Sequence, residues 1–285
     1  DYTTQSAWRA KPTEQQKPTS FIASETVAQT LHGYEKNNLY LFLRSKFGAE
    51  DALLLMKDYR VGTSKHWPGS CVFWQTDING SVRTGKVMLY DADSGKQVKH
   101  PFNHVTWVHS LLKLPDFNLR QCFFGEHLLP MNRGKPVAIV ESEKTALVAA
   151  YYLPEYVWLA SGGKNGCFNT DAIRVLRGRQ VILYPDIGAT EQWRQKLSLL
   201  RNLAIEANIF NFLEDVATDD ERTAGLDIAD YLLQIEPDQA VLQAMIRKNP
   251  MLQKLIDDLQ LTLVSVERYN PDTDAINKTS TPPKQ

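Results

Sequence analysis

What this sequence has little of narrows its possibilities first. Three cysteines occur in 285 residues, Cys71, Cys122 and Cys167. They lie far apart and form no closely spaced pair of the kind that builds zinc sites, so they read as buried, reduced thiols of a cytoplasmic protein. No run approaches the roughly 18 uninterrupted apolar residues of a membrane span, and no signal peptide is visible. There is no internal repeat and no Walker spacing, which removes nucleotide hydrolysis on a P-loop from the options. The chain opens on Asp1 rather than Met, from which a piece of a longer protein is expected.

What is present is ordinary in bulk and uneven in distribution. With 43% hydrophobic and 23% charged residues, the chain suits a globular protein with one or two cores. Its net charge of −1 conceals a gradient: residues 56–135 carry 11 Lys and Arg against 6 Asp and Glu, whereas residues 206–285 carry 7 against 15. Five of the six histidines also fall between His66 and His127. A solvated surface accounts for this as readily as a surface that attracts phosphates.

Periodicity divides the chain. Residues 1–20, with Pro12, Pro18 and several Gln and Thr, read as a flexible lead-in. Residues 21–135 form an N-terminal region that begins helical: NLYLFLRSKF and EDALLLMKDY, either side of Gly48, carry apolar residues at helical spacing. The period then changes to two in CVFWQTD and VRTGKVMLYD, joined through Asn79-Gly80, a strong hairpin signal. A second turn, DADSGK, leads to a third short strand, giving a small antiparallel meander over residues 58–100. Trp107, Phe123 and Phe124 are expected to fill a core.

From Pro136 strands and helices alternate. VAIVE, YVWLA, QVILYPD and AIEANIF read as strands, while EKTALVAAYY, TDAIRVLRG and ATEQWRQKLSLLRN read as helices. This is the grammar of an α/β unit with a mostly parallel sheet, here residues 136–235. Reactive groups of such sheets gather at the carboxyl ends of the strands, and Glu141 and Asp186 end the first and third. A helical extension interrupted by Pro250 is expected over 236–266, and a disordered tail over 267–285.

The segments VAIVESEKTAL, VILYPDIGA and AGLDIADYLL resemble the TOPRIM domain, the metal-binding module of bacterial primases, topoisomerases and some nucleases. The resemblance covers about a third of the chain. It implies that Glu141 matches the glutamate ending the family's first strand, and that Asp186 matches the first aspartate of its Asp-x-Asp pair. The second aspartate is replaced by Gly188, which lowers the charge available for Mg²⁺ or Mn²⁺. LDIADYLL resembles the acidic stretch of phage-type and mobile-element members, making Asp227 a third metal-ligand candidate, with Asp230 beside it. The hairpin region, followed by FFGEHLL, resembles the segment preceding TOPRIM in primase-like proteins of mobile elements, where a zinc ribbon often lies further upstream.

The chemistry these acids would serve can be argued from the residues. Magnesium prefers oxygen ligands and is commonly held by one or two carboxylates plus substrate phosphates. Duller readings stand beside each choice: Glu141 favours a following helix N-terminus, Asp186 suits a turn after Pro185, and Asp227 is a plausible helix cap. Ser161–Gly166, SGGKNG, precedes a helix and offers amides and Lys164 to a phosphate, though three glycines also make an ordinary tight connection. Arg60, Lys65, Arg83 and Lys86 lie among Tyr59, Trp67, Phe73 and Trp74, a mixture suited to single-stranded nucleic acid. Alternation points Phe73 and Trp74 to opposite faces, so a sheet with one open face would expose one of them.

The expected protein is therefore α/β: a TOPRIM-like, mostly parallel sheet preceded by helices and an antiparallel meander and followed by a helical extension. The resemblance implies a primase-like nucleotidyl or phosphoryl transferase of mobile-element DNA replication, using Mg²⁺ or Mn²⁺. Single-stranded DNA, nucleotides and a replicative helicase are the implied partners, with no membrane. The alternatives are a TOPRIM-derived binding or scaffolding protein that has lost catalysis, and a nuclease of the same fold.

Overall fold

The computed structural model describes residues 17–163 and 166–263. The chain divides into two compact units, residues 1–234 and 235–285. The expected lead-in falls mostly, and the expected tail wholly, outside the described residues.

The first unit opens with α1 (Ser24–Ala28), a 3₁₀ turn at Tyr34–Lys36, α2 (Asn38–Phe47) and α3 (Ala49–Asp58). Asn37 starts α2 by accepting hydrogen bonds from the Leu39 and Tyr40 amides, a standard N-cap. The apolar positions read from the sequence, Leu39, Phe42, Leu43 and Phe47, are all buried. A four-stranded antiparallel meander follows: β1 (Val61–Thr63), β2 (Cys71–Thr76), β3 (Val82–Met88) and β4 (Val105–Trp107), in that spatial order. The β2–β3 hairpin closes through the Asn79-Gly80 turn, where Asp77 and Ser81 are linked through the Asp77 amide.

The meander differs from expectation at its end. After the 91–96 turn only an isolated bridge forms, between Tyr90 and Gln97, and pairing resumes at Val105. Pro101 lies in the interval and lacks the N–H a ladder needs. The short helix α4 (Val108–Leu111) follows β4. Both faces of β2 are covered. Val72 and Trp74 pack with Ile22, Val27, Val82, Val87 and Val108. Phe73, on the other face, meets Phe124 and Tyr90 edge-on at 5.4 and 6.1 Å. Neither ring is free to stack a base. Phe123 and Phe124 are buried as expected, while Trp107 is only half-buried.

The second half of this unit alternates β5 (Val137–Val140), α5 (Glu143–Tyr152), β6 (Val157–Ala160), β7 (Val181–Leu183), α6 (Thr190–Asn202) and β8 (Ala207–Ile209). The four strands are parallel in the order β6-β5-β7-β8. The segment read as a helix from TDAIRVLRG is a 3₁₀ turn, Ala172–Leu176. Ile139, Leu159, Leu183, Trp193 and Leu200 form the centre of the core; each contributes about 1.5–3 kcal/mol through removal of apolar area from water. The open edge of β6 is capped by Phe124, whose amide and carbonyl both pair with Ala160. Three short helices, α7 (Phe212–Val216), α8 (Asp219–Ala224) and α9 (Ile228–Leu232), complete the unit. The other unit contains α10 (Pro237–Lys248) and α11 (Met251–Leu259), separated at Pro250 as the sequence implied.

The meander and the parallel sheet are joined by a buried ion pair. Lys86 Nζ on β3 lies 3.0 Å from Glu143 Oε2 at the start of α5, with side chains 11% and 1% exposed. The same ammonium donates to the Gly162 carbonyl at 3.1 Å, beyond β6. Removing one partner leaves a buried charge without compensation. Lys86→Met is therefore expected to destabilise the protein by about 3 kcal/mol in urea denaturation. Lys86→Met combined with Glu143→Leu should recover most of that loss, a result that separates charge burial from lost packing.

Candidate metal and nucleic-acid site

The four apolar residues of β5 are buried and stop at Glu141, whose side chain is half-exposed. The chain turns sharply there because Ser142 caps α5, its hydroxyl accepting from the Thr145 amide. The Glu141 carbonyl accepts from the Gly162 and Gly163 amides at 3.0 and 3.1 Å, so the loop after β6 fastens the end of β5. Both glycines have positive φ, a conformation other residues reach with strain. On the other side of β5, β7 continues by one rung, Tyr184 N–H to the Ile139 carbonyl at 2.8 Å, before Pro185 and Asp186. Glu141 and Asp186 thus follow neighbouring parallel strands.

Asp227 reaches the same edge from α9. The Ile187 amide donates to the Leu226 carbonyl at 2.9 Å, which binds this stretch to the residues after Asp186. Asp227 is the N-cap of α9: one carboxylate oxygen accepts from the Ala229 and Asp230 amides, the other from the Thr145 hydroxyl. Asp230 completes the capping box by accepting from the Asp227 amide at 2.9 Å. The capping reading of Asp227 therefore holds, and it places the carboxylate within the electrostatic reach of Asp186.

Asp186 is the electrostatic centre of the group. Burial, followed by the charges of Asp227, Glu141 and Asp230, pushes its carboxyl up to about 8, with Lys196 opposing. Neither Glu141 nor Asp186 closes an ion pair or accepts a side-chain hydrogen bond among the described residues. Hard oxygen donors in mutual repulsion fit a divalent cation. Among the described residues no three His, Cys, Asp or Glu side chains stand as a complete set of metal ligands. An ion here would take further oxygens from water or phosphate.

Gly188 stands where the TOPRIM resemblance of the sequence implies a second aspartate. Its amide donates to Glu214 Oε2 at 2.7 Å, and Glu214 also pairs with Arg222. A Cβ at this position would meet nothing within 4 Å, but φ is +83°. Any residue with a side chain would therefore cost about 1–3 kcal/mol of backbone strain here.

One group was not anticipated. Lys196 on α6 is buried, its ammonium makes no hydrogen bond, and it lies 3.7 Å above the Trp193 ring and 5.3 Å from that of Phe168. It feels the charges of both Glu141 and Asp186. The signal was available: with Trp193 and Leu200, Lys196 falls in the apolar stripe of an amphipathic helix, where an ammonium needs a reason.

The cations expected to bind nucleic acid are dispersed. Lys65 is exposed after β1, and Arg60 is half-buried after α3. Arg83 is paired with Asp77 at 2.7 Å and lies over the Phe21 ring. Lys86 is interior, committed to Glu143 rather than to a surface. Lys164 lies outside the described residues. Among the described residues no helix is long and apolar enough to cross a membrane.

Comparison with known proteins adds the following. A family model described as "Domain of unknown function (DUF6371)" matches residues 37–187. No curated protein matches the sequence. Among solved structures, the chain is similar to the RNA polymerase domain of Mycobacterium tuberculosis primase DnaG, at 12% identity and a TM-score of 0.47, covering 76% of this chain and 79% of that one. It is also similar to the primase fragment of the bacteriophage T7 primase-helicase protein, at 16% identity and a TM-score of 0.40, covering 76% and 82%. A DnaG primase catalytic domain bound to single-stranded DNA gives 11% identity and a TM-score of 0.44, covering 79% and 83%.

The raised Asp186 carboxyl makes a signed prediction. The unfolded chain ionises this group near 3.8 and the folded chain near 8. Between those values the folded state holds the proton and the unfolded state does not. The resulting stability is full below about pH 4 and is lost as pH rises through about 8. Asp186→Asn cannot ionise; without metal it should melt higher than the natural protein at pH 8–9, with the difference vanishing near pH 4.

Proposed function

We propose that this chain, which belongs to the family described as a domain of unknown function (DUF6371), is a TOPRIM-type, primase-like protein acting on single-stranded DNA with Mg²⁺ or Mn²⁺. The observation that carries this reading is the pair of acids after adjacent parallel strands, Glu141 and Asp186, without ion-pair partners among the described residues, where burial and then the charges of Asp227 and Glu141 push the Asp186 carboxyl up to about 8. A divalent ion bound there supplies charge neutralisation to the attacking and leaving oxygens of a phosphoryl transfer.

The residues then divide the work. Asp186 gives up its proton as an ion enters, so affinity should rise with pH. Asp227 contributes charge from a position fixed by Thr145 and by its own helix. Glu141, half-exposed at a strand end tied by two amides, is placed to hold the ion directly or through water and to exchange a proton with a nucleophile. Lys196 offsets part of the acidic charge from beneath. Nucleotides as substrates, a replicative helicase as partner and mobile-element DNA replication in the cytoplasm complete the reading.

A second reading, a DNA-binding or scaffolding protein that has lost catalysis, is favoured by one observation: the amide of Gly188 is committed to Glu214 where the family pattern has a carboxylate. Manganese titration by calorimetry, with primer-synthesis and nuclease assays on single-stranded DNA, separates the cases. Glu141→Gln should weaken Mn²⁺ binding roughly tenfold or more, since one of few oxygen donors loses its charge. Unchanged affinity in that variant would remove the metal site. Gly188→Asp should tighten binding in an enzyme and leave it unchanged in a protein that has given up the ion. Strand cleavage without synthesis would assign the same site to a nuclease.

A further inference from the structure

Because neighbouring strands of the meander run in opposite directions, the β1–β2 and β3–β4 connections emerge at one end and the β2–β3 turn at the other. The two connections bring four rings together. Trp67 meets His66 at 4.3 Å and His104 at 5.1 Å, both edge-on, and lies 6.4 Å from Phe102. Phe102 stacks on His104 at 4.3 Å with an interplanar angle of 23°. The array is anchored from below, since Trp67 packs against the core around Val72 and Trp74, and His104 Nδ1 lies 3.3 Å from the Val98 carbonyl. A carbonyl only accepts, so Nδ1 carries the proton.

The upper side is open at two of the rings: Phe102 is 54% exposed and His66 is exposed, whereas Trp67 is half-buried and His104 is buried beneath them. Lys65, Lys96, Lys99 and His100 are exposed around the rings, and none closes an ion pair among the described residues. Of the acids on the nearby turn, Asp91 is directed into its own loop by Ser94, and Asp93 is exposed. A lone exposed phenylalanine means little. Several rings on a fixed base, bordered by uncommitted cations, are the chemistry that stacks unpaired bases and tracks their phosphates.

We propose that Phe102, His66 and the accessible part of Trp67, supported from below by His104, form a stacking platform for an unpaired nucleobase of a single strand, with Lys65 and Lys99 neutralising the flanking phosphates. This deepens the reading of the chain as a single-strand-binding protein and is independent of the acids. It also moves the binding surface away from Arg83 and Lys86, which the fold has paired, to the connections β1–β2 and β3–β4.

The test is fluorescence anisotropy with labelled dT15 and U15 on the full chain at fixed salt. Phe102→Ala removes an exposed ring and should weaken binding about five- to a hundredfold. Trp67→Phe should abolish the part of the tryptophan quenching caused by the oligonucleotide. Reversing Lys65 and Lys99 to Glu should weaken binding and flatten its salt dependence, whereas the same reversal at Arg174 and Arg194, exposed on the parallel-sheet half, should not. Loss on dT15, on U15 or on both supports the platform and tells which strand it serves. Unchanged affinity in Phe102→Ala with unchanged quenching in Trp67→Phe overturns it, as would equal losses from the two charge-reversed pairs or no binding by the natural protein. Glu141→Gln keeps the two readings apart: chemistry lost with oligonucleotide affinity intact concerns the acids alone, and a natural protein that binds strands through these rings without any metal-dependent chemistry refutes the enzyme and spares the platform.

Discussion

The pairing of β5 with β7 is the constraint on which the site depends. Parallel hydrogen bonding from Val137–Ile139 to Val181–Leu183, extended by the Tyr184 amide, sets the two chain segments in register. Both then leave the sheet at its carboxyl edge, one into Glu141 and the other into Asp186. Burial first, and then the neighbouring charges of Asp227 and Glu141, raise the Asp186 carboxyl well above the usual carboxylate range. The site is therefore strained electrostatically by the same pairing that builds the core.

Everything around that edge serves to hold it. Gly162 and Gly163 fasten the Glu141 carbonyl, Leu226 fastens Ile187, and Thr145 receives Asp227. Lys86 reaches across from the antiparallel sheet to Glu143 and to Gly162. A shift of the meander would thus be felt within a few bonds of Glu141. The parts of the first unit are coupled through buried charge as well as through apolar contact, and buried charge is intolerant of small displacements because desolvation is offset only at short range.

The meander itself has become two-sided. One face packs on the helical segment and the other on Phe124 and Tyr59, so its large rings are structural. Among the described residues of the meander, aromatic surface reaches solvent at Trp67 and Phe102, where strands end and connections begin, and in part at Trp107 at the end of β4. Sheets covered on both faces must carry any binding chemistry on their rims, and the exposed cations follow the same rule.

The local patterns were legible in the sequence alone. Helical spacing marked α2, α3, α5 and α6; alternation and Asn79-Gly80 marked the β2–β3 hairpin; apolar runs ending in acids marked β5 and β7. Even the cap at Ser142 and the break at Pro250 follow from residue chemistry within a few positions. Non-local decisions were not legible. Whether Lys86 met solvent or Glu143, 57 residues away, depended on how two sheets pack. Whether Asp227 was a helix cap or a member of the acidic group depended on Leu226 lying beside Ile187, and it proved to be the first while adding its charge to the second. The sequence determined which groups could ionise, turn or pack, because those properties belong to each residue and its near neighbours. Tertiary structure decided which charges were paired and which left uncompensated, because the energy of a charge depends on distance and burial, and both are set by segments remote along the chain.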